Sequence, residues 1–465
     1  MGRALALARV APTPARAAAF EVVKRVRERS AYAHQTLDKV LAERDLEPKE
    51  AASAARLAYG TLSAMGVLED AFAIVVSPGT ALWSPMLEVL ALGAWEVLFG
   101  GTPAYAAVDE TVKLAKAVEP KAAGFANAVI RKVARAADTF PWGDPDTDLD
   151  ARARLYAHPR WLVGMWETEL GSEKATGVMA ANNQAPPMFL ASALPGADAL
   201  ARLIAELTAA GAEPSPGSLP GSVRVGKPAV ARRIKSLQGH HTRVMDLGAQ
   251  FVVRAMRPGP GQVLAEVGAG RGGKSLMLAS MARSNGRPLA RLAAVDLHDF
   301  KLKVLADDAR TLGFSEIVTV TADASSAGLT IPGIPPGSAD AVLVDAPCSG
   351  LGTLRRHPEG RWRLTPADCG ALQRLQALLL VNAAALVRLG GFVVYSTCTI
   401  SNAENRDIVR GFLGSKAGSG FVLDSLAGDV PESWKGFVDP AGWLQLLPEP
   451  EGADGHFVAR LIRKA

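Results

Sequence analysis

Apolar residues recur at intervals of three and four through residues 15–135. Four stripes show this spacing: Phe20, Val23 and Val26; Leu37, Val40 and Leu41; Leu87, Leu90, Ala91, Ala94 and Leu98; and Phe125, Val129 and Val133. Such spacing turns one face of a helix towards a core. Prolines, which start or break helices, fall between the stripes at Pro48, Pro78, Pro85, Pro103 and Pro120. The pattern predicts an all-helical bundle.

From Gln262 onward, short apolar runs alternate with helical stretches. The runs are VLAEV, LAAVD, IVTVTAD, AVLVD and FVVYST, and the helical stretches are Lys274–Arg283, Phe300–Leu312 and Ala367–Val387. This alternation predicts a mostly parallel α/β sheet with helices on both faces. Ligands bind such sheets at the carboxyl ends of the strands. We therefore expect the chemistry at Glu266, Asp296, Asp323, Asp345 and Ser396–Cys398.

The stretch between these regions is harder to interpret. Residues 138–150, DTFPWGDPDTDLD, are rich in Pro, Gly and Asp, which is typical of a linker. The segment that follows is mixed in pattern and contains loop-forming sequences. A chain of 465 residues is also too long for a single core. We predict a helical domain at 1–137, a linker at 138–150, a connecting α/β domain at 151–240 and the sheet domain at 241–465.

Composition narrows the class of protein. Hydrophobic residues make up 49% of the chain and charged residues 21%, as in ordinary globular domains, and no apolar run looks long enough to cross a bilayer. The three cysteines, Cys348, Cys369 and Cys398, cannot form a disulfide framework and lack metal-ligand spacing. We therefore expect free thiols, no metal site and a cytoplasmic location.

The net charge of +5 is modest but uneven. Residues 1–30 carry seven basic residues, which are Arg3, Arg9, Arg16, Lys24, Arg25, Arg27 and Arg29. A second group follows Cys348 and comprises Arg355, Arg356, Arg361 and Arg363. Both groups could bind a polyanion such as RNA. A solvated helix face explains the first group equally well.

The sequence GAGRGGKS, Gly268–Ser275, fits two glycine-loop templates. One is the phosphate-binding loop of nucleotide triphosphatases. The other, an acidic residue followed by alternating glycines, suits a nucleoside cofactor such as S-adenosylmethionine. Asp296 could bond ribose hydroxyls, and Asp323 ends the next strand. We favour S-adenosylmethionine, because a triphosphatase would leave both strand-end cysteines without a role; a glycine turn without a ligand is the third alternative.

The strand-end cysteines suggest a reaction. A methyl donor, a carboxylate and a thiol are what methylation of cytosine carbon-5 requires, because a thiolate that adds at carbon-6 makes carbon-5 nucleophilic. A base must then remove the carbon-5 proton. The thiol needs a lowered pKa, for which Lys274 and the donor's sulfonium are candidate causes. We interpret Cys369 as a small buried hydrophobic residue instead.

Two motifs carry a family resemblance. Asp345-Ala-Pro-Cys348-Ser-Gly, with Arg355-Arg356-His357-Pro358, resembles the fourth motif of RNA cytosine-5 methyltransferases, and Ser396-Thr397-Cys398, with Glu404-Asn405, resembles their sixth. The chain as a whole resembles the RsmB/Sun (Fmu) family of bacterial 16S rRNA methyltransferases. Further similar segments are Ala106–Lys116 and Lys121–Arg135 in the NusB-like bundle, Tyr156–Val163 and Ala180–Pro187 in the joining segment, and Gly455–Lys464 in the last strand.

The resemblance implies a Rossmann-like class I S-adenosylmethionine-dependent methyltransferase domain, preceded by an all-α NusB-like RNA-binding bundle and a small α/β connecting domain. It implies a monomer that forms 5-methylcytosine in 16S rRNA, with Cys398 as nucleophile, Asp345 holding the base and Cys348 assisting product release. The residues implied for the cofactor are Gly268, Ala269, Gly270, Arg271, Gly272, Gly273, Lys274, Asp296, Asp323 and Asp345. Arg355, Arg356 and His357 are expected to touch RNA or to shape the active-site loop.

The sequence departs from the family pattern in three places. Arg271 replaces a proline of the usual glycine loop, LASAL at Leu190–Leu194 replaces an Arg-Val-Asn type of segment, and Asp246-Leu-Gly-Ala-Gln250 keeps only part of its motif. The last two changes fall in the region expected to help select RNA. Two alternatives therefore stay open, namely the same chemistry on tRNA or 23S rRNA, and a non-catalytic RNA-binding or assembly factor.

Overall fold

The computed structural model describes residues 11–464, which form two compact units. The first unit contains residues 11–185 together with Leu354–Leu364, and the second contains Pro186–Thr353 and residues 365–464. This division differs from the predicted boundaries at 138, 151 and 241. Residues 151–185 group with the helices before them. The connecting strands have a small core of their own that includes Leu190 and Val223, and Phe189 joins them to the core of the large sheet.

The first unit is helical, as the sequence predicted for residues 15–135. Its helices are α1 (Pro14–Arg29), α2 (Ala33–Arg44), α3 (Pro48–Val75), α4 (Met86–Leu98), α5 (Ala104–Val118), α6 (Ala123–Ala136), α7 (Leu149–Leu155), α8 (Arg160–Leu170) and α9 (Ser172–Asn182). Proline stands at the first position of α1 and of α3, where its missing N–H is not needed. Thr13 caps α1 by accepting a hydrogen bond from the Arg16 amide.

The segment Leu354–Leu364 is built into this helical unit although it is distant in sequence. Its short helix α16 (Gly360–Arg363) places Trp362 against α3, where the indole donates to the Ser63 carbonyl at 2.9 Å. The Arg361 side chain is completely buried. It donates to the Ala157 carbonyl at 3.0 Å, the Asn182 carbonyl at 2.5 Å and the Asn183 side chain at 2.7 Å. Arg361 therefore holds the segment in place and is not part of a basic surface.

The second unit begins with a four-stranded antiparallel sheet of order β2-β3-β1-β4. The strands are β1 (Met188–Ser192), β2 (Pro214–Pro216), β3 (Ser222–Val225) and β4 (Thr242–Val244). Helices α10 (Ala197–Ala209), α11 (Pro228–Ala231) and α12 (Lys235–Gln238) connect them. This is the small connecting α/β element that the family resemblance implied.

An eight-stranded sheet forms the rest of the second unit, in the order β10-β12-β9-β8-β5-β6-β7 with β11 paired to β12. Its strands are β5 (Val263–Val267), β6 (Arg291–Asp296), β7 (Ile317–Thr321), β8 (Ala339–Asp345), β9 (Val387–Thr397), β10 (Phe421–Asp424), β11 (Leu444–Leu446) and β12 (His456–Arg463). The helices are α13 (Leu247–Ala255), α14 (Gly273–Ser284), α15 (Asp299–Thr311), α17 (Pro366–Leu386) and α18 (Arg406–Leu413). All five predicted strands and three predicted helices are confirmed.

The strand order fixes where a ligand can bind. Strands β5 to β9 run parallel, so their carboxyl ends meet at one edge, whereas β12 pairs antiparallel with β9. The chain continues from β5 to β6 on one side, and β8 flanks β5 on the other side. This reversal between β5 and β8 is a topological switch point, where open α/β sheets form their crevice.

Two helices correct an expectation from composition. Helices α3 and α17, of 28 and 21 residues, are long and apolar enough to cross a membrane by length and composition alone. Both contribute buried residues to the cores of their units, for example Leu68 in α3 and Leu380 in α17. Their apolar character is accounted for by this packing.

Candidate active site

The glycine loop after β5 passes close to one backbone carbonyl and to one side chain, which favours glycine at both positions. Gly268 has φ +85°, and a Cβ there would lie 2.3 Å from the Asp345 carbonyl oxygen. Gly272 has φ +79°, precedes α14 and leaves room for Leu305, whose Cδ1 would be 2.1 Å from an added Cβ. Because a left-handed φ and a close approach coincide at both positions, the loop wraps tightly around the end of the sheet.

Asp296 ends β6 beside this loop. Its carboxylate accepts hydrogen bonds from the Gly270 amide at 2.9 Å and the His298 amide at 2.8 Å. Burial opposes ionisation, but these two bonds and the charge of Lys301 outweigh it and lower the pKa of Asp296. The carboxylate is therefore ionised at neutral pH, and it links the end of β6 to the glycine loop.

Asp323 lies in the loop after β7, as the strand pattern predicted, but its carboxylate is engaged locally. It accepts hydrogen bonds from the Ser325 amide at 2.9 Å, the Ser325 hydroxyl at 2.6 Å and the Ser326 hydroxyl at 3.1 Å. These bonds lower the pKa of Asp323. The exposed side chain stabilises its own turn, and its assignment to the adenine remains a prediction.

Glu266 lies inside β5 and is buried. The Ser275 hydroxyl donates a hydrogen bond to it from the first turn of α14. Burial raises the pKa of Glu266 to about 7, although this hydrogen bond and the charge of Lys274 oppose the rise. Glu266 therefore titrates near neutral pH directly beneath the glycine loop.

Lys274 and Asp345 join the glycine loop to the end of β8. The Lys274 ammonium donates to the Asp345 carboxylate at 2.6 Å. Burial lowers the pKa of Lys274, but the charge and hydrogen bond of Asp345 more than compensate and raise it. The pair places a fixed cation and a carboxylate at the switch point between β5 and β8.

The structure brings Cys348 and Cys398 together. Cys348 follows β8 and Cys398 follows β9, and their Sγ atoms lie 3.4 Å apart. Two backbone hydrogen bonds connect the loops that carry them, from the Ala346 amide to the Ser396 carbonyl at 2.9 Å and from the Gly352 amide to the Cys398 carbonyl at 3.0 Å. Both cysteines are partly exposed, so a substrate can reach them.

The surroundings of the two thiols make them chemically different. The hydrogen bond from Cys348 lowers the pKa of Cys398, and the charge of Lys274 adds to this effect against burial and the charge of Asp345. The same hydrogen bond and burial raise the pKa of Cys348 well above its ordinary value. These influences favour ionisation of Cys398 over ionisation of Cys348.

Cys369 differs from this pair. It lies on the buried face of α17, where burial raises its pKa to about 11. A thiol that resists ionisation in this way is a poor nucleophile. The location agrees with its interpretation as a small buried hydrophobic residue.

Sequence reasoning missed a buried polar group next to the cysteines. Glu404 accepts hydrogen bonds from the Ser349 amide at 2.9 Å, the Ser349 hydroxyl at 2.5 Å and the Gln376 side chain at 2.9 Å. Gln376 carried a usable signal, because it is a polar residue between the apolar positions Leu372, Leu375, Leu379 and Leu380 of a helix. The motif resemblance includes Glu404 but does not indicate that its side chain is buried.

The residues predicted to contact RNA all belong to the segment Leu354–Leu364. Arg355 is only 2% exposed, which favours the loop-shaping role over direct RNA contact. Arg356 and His357 are half-buried. The His357 ring lies 5.3 Å from the His34 ring and 6.1 Å from the Tyr32 ring, measured between centroids, so it belongs to a small ring cluster in the helical unit.

The basic group near the N-terminus is largely paired within the helical unit. Arg16 is buried against Glu96, and Arg25 and Arg27 lie in ion pairs. The partners of the last two are Glu21 and Glu43 for Arg25, and Glu69 and Glu88 for Arg27. Much of this charge is therefore neutralised locally. Arg3 and Arg9 lie outside the described residues.

A separate cavity of about 360 Å³ lies in the second unit, lined by residues of β1, α10, α13 and α14. Arg254 and Gln250 are among its polar lining residues. None of the predicted site residues lines it, so it is distinct from the strand-end site.

Comparison with known proteins identifies the family. A model of the 16S rRNA methyltransferase RsmB/F family matches residues 253–462, and a model of the NusB family matches residues 13–135. The probable ribosomal RNA small subunit methyltransferase B of Bacillus subtilis is 30% identical over 97% of this chain and 99% of that protein. A Mycobacterium tuberculosis protein is 34% identical over 97% of this chain and 96% of that protein. The chain belongs to the RsmB/F family.

Solved structures agree on the fold of this RsmB/F-family chain. The crystal structure of PH0851 covers 97% of the chain with a TM-score of 0.78 and 21% identity, and 99% of that protein is covered. The structure of NSun6 from Pyrococcus horikoshii with SFG covers 66% of the chain, and 98% of NSun6, with a TM-score of 0.54 and 18% identity. The predicted fold class and family are thereby confirmed, and the chain is an S-adenosylmethionine-dependent rRNA methyltransferase.

The strand-end site of this RsmB/F enzyme fits S-adenosylmethionine. Gly268 and Gly270 bring bare backbone to the crevice, and nothing lies within 4 Å of a Cβ built at Gly270. The ionised Asp296 beside them can accept hydrogen bonds from ribose hydroxyls. Arg271, the departure from the family loop, is exposed, so its side chain is compatible with this backbone cradle.

Proposed function

We propose that this enzyme methylates carbon-5 of a cytosine in 16S rRNA through a covalent bond to Cys398. The observation that carries the proposal is the thiol pair, with sulfurs 3.4 Å apart, at the strand ends that flank the Lys274–Asp345 pair. The resemblance to the fourth and sixth motifs of RNA cytosine-5 methyltransferases supports the same chemistry. The family match and the relatives named small subunit methyltransferase B support the choice of RNA.

The resemblance to the sixth motif assigns the nucleophile to Cys398, and the lowered pKa of its thiol supports this assignment. Cys398 carries the thiolate, so it adds to carbon-6 of the cytosine and forms the carbon–sulfur bond, while the ring electrons move to carbon-5. Carbon-5 then forms its bond to the methyl group, and the bond between that methyl group and the donor sulfur would break, leaving S-adenosylhomocysteine. S-adenosylmethionine, when bound, supplies that methyl group as an electrophile. The Asp345 carboxylate holds the base by accepting a hydrogen bond from its amino group, and a proton shared between the carboxylate and the ring nitrogen helps the ring accept electrons.

Release reverses the addition. A base takes the carbon-5 proton, the carbon–carbon double bond forms again, and the sulfur leaves carbon-6 as the Cys398 thiolate. Cys348 assists this step from its position next to Cys398. We further propose that the NusB-like helices bind RNA, that Arg356 and His357 contribute to RNA contact, and that the enzyme works as a cytoplasmic monomer.

Methyl transfer to defined RNAs tests the proposal. The purified protein is incubated with labelled S-adenosylmethionine and unmodified 16S rRNA, 23S rRNA or tRNA, and the label is mapped by bisulfite sequencing. We expect one or a few 5-methylcytosines in 16S rRNA. Label confined to tRNA or 23S rRNA would support the alternative substrate, and label at an atom other than carbon-5 would refute the covalent mechanism.

Two variants test the roles of the cysteines. Cys398→Ala should abolish turnover and retain RNA binding, whereas Cys348→Ala should accumulate a covalent protein–RNA adduct visible on a denaturing gel. Exchanged behaviour would invert the two roles. A protein that forms no adduct and transfers no methyl group to any of the three RNAs would instead be a non-catalytic RNA-binding factor.

A further inference from the structure

The buried carboxylate of Glu404 stands out among the groups that the proposed mechanism does not use. Glu404 ends the 3₁₀ turn Asn402–Glu404 after β9, and it is 0% exposed. Within residues 11–464, its side chain accepts three hydrogen bonds, and all of them come from neutral donors on Ser349 and Gln376. A carboxylate removed from water without a cationic donor is costly to maintain, so its location calls for a role.

The donors to Glu404 hold both sides of Cys348. Ser349, which follows Cys348 directly, donates through its amide and its hydroxyl. Gln376 reaches from α17 and uses one side-chain nitrogen to donate both to Glu404 and to the Pro347 carbonyl, each at 2.9 Å. The backbone on either side of Cys348 is therefore fixed by one carboxylate and one amide.

The same network reaches the loop of Cys398. The Ser349 hydroxyl lies 2.8 Å from the hydroxyl of Thr399, the residue after Cys398. Glu404 itself lies on the chain segment that continues from Cys398, and the Tyr395 hydroxyl donates to the Glu404 carbonyl at 2.7 Å. Ser349 thus connects the two cysteine loops, and Glu404 anchors Ser349.

We propose that Glu404 is a positioning residue that fixes Cys348 opposite Cys398 and makes Cys398 the more reactive of the two thiols. The inference rests on the proposed role of the two cysteines in covalent catalysis, although its test requires no RNA. A fixed negative charge disfavours a second negative charge nearby. Because the anchors of Glu404 flank Cys348 on both sides, this repulsion disfavours a Cys348 thiolate. The same charge also raises the pKa of Cys398, but there the charge of Lys274 opposes it.

Other groups also act on the pair and must be considered together. Those that influence the two sulfurs are Glu404 and Tyr395 at Cys348, and Lys274, Asp345 and Glu404 at Cys398. Lys274 favours the thiolate of Cys398, and Asp345 opposes it. Glu404 raises the pKa of Cys348, after the larger effects of the Cys398 hydrogen bond and of burial. Replacing Glu404 alone should therefore change Cys348 while the Lys274–Asp345 pair remains.

Differential alkylation of the full-length protein measures this directly. Iodoacetamide is applied in short pulses from pH 5.5 to 10 without RNA, and the modified cysteine peptides are quantified by mass spectrometry. In the wild type we expect Cys398 to react at lower pH than Cys348. In Glu404→Gln, which keeps the side-chain length but not the charge, the midpoint of Cys348 should fall by about one pH unit, and the preference for Cys398 should narrow.

A matched control is Glu316→Gln, which alters another buried glutamate of the same unit, paired with Arg283 and not with the cysteine loops. It should leave both alkylation profiles unchanged. If Glu404→Gln does not fold, as judged by circular dichroism, Glu404→Asp keeps the charge but withdraws it, and should lower the Cys348 midpoint by a smaller amount. A Cys348 midpoint that stays at the wild-type value in the folded variant overturns the proposal.

The experiments distinguish failure of the positioning role from failure of the covalent mechanism. An altered Cys348 profile in Glu404→Gln supports the positioning role even if Cys348→Ala never traps RNA, an outcome that would count against the proposed function. Conversely, trapping by Cys348→Ala together with an unaltered profile in Glu404→Gln would leave the proposed function intact and refute the positioning role.

Discussion

Gly268→Ala is the most informative single change in the glycine loop. Alanine at φ +85° costs about 1–2 kcal/mol because of the left-handed backbone. The new Cβ would also lie 2.3 Å from the carbonyl oxygen of Asp345, at the end of a buried strand. Relieving such an overlap costs a further 1–3 kcal/mol, roughly. The native loop should therefore be destabilised by about 2–5 kcal/mol.

Binding of S-adenosylmethionine, measured by isothermal titration calorimetry, gives the readout. Gly261→Ala is the control, because Gly261 also has a positive φ of +76° but nothing within 4 Å of an added Cβ. The difference between the variants isolates the overlap, about 1–3 kcal/mol, which corresponds to a loss of affinity of roughly 5- to 150-fold. Equal affinities for the two variants would refute the claim that the Gly268–Asp345 approach shapes the cofactor site.

Three further predictions concern Glu266, Arg361 and Cys369. The pKa of Glu266 is about 7 in the folded protein against an ordinary 4.5, so its contribution to stability is present below pH 4.5 and is lost as the pH rises through 7. The free energy of unfolding of Glu266→Gln, measured with urea, should therefore rise relative to that of the wild type by up to about 3 kcal/mol between pH 5 and 8. A difference that stays constant with pH would contradict this. Arg361→Met leaves the buried carbonyls of Ala157 and Asn182 without their donor and should lower the melting temperature clearly more than Arg363→Met. The Arg363 side chain is more exposed and donates to the carbonyls of Val26, Ser30 and Ala31. Equal losses would refute the anchoring role. Cys369→Ser should keep methyl-transfer activity within about twofold, since the thiol sits on the core face of α17, and loss of activity in a folded variant would require a new role for it.

The pattern of apolar residues predicted the strand ends well, because each strand end depends only on residues that are close in sequence. A short apolar run that stops at an acidic residue, as in AVLVD, fixes both the buried strand and the position of Asp345. The same reasoning located Cys348 and Cys398 on adjacent loops. Their separation of 3.4 Å depends on β8 and β9 being neighbours in the sheet, and strand order is not encoded in any local run.

Features created by long-range packing were missed. Arg361 and Arg363 look alike in sequence, but only Arg361 becomes completely buried, because carbonyl oxygens from α7–α9 and the turns between them surround it. Arg355 is buried as well, which separates its two predicted roles in favour of shaping the loop. In each case the deciding partners lie outside the pattern that prompted the prediction.

The path of the polypeptide has a practical consequence for dissecting the enzyme. Because Leu354–Leu364 belongs to the helical unit while the residues on both sides belong to the other unit, the backbone changes unit three times. A fragment that begins at Pro186 would retain Arg361 and Trp362 but lose Ser63, Ala157 and Asn182, whose carbonyls accept their hydrogen bonds. Fragments made by a single cut should therefore aggregate and be poorly soluble. Exchange of the helical unit between homologues should succeed only when the eleven residues Leu354–Leu364 are exchanged with it.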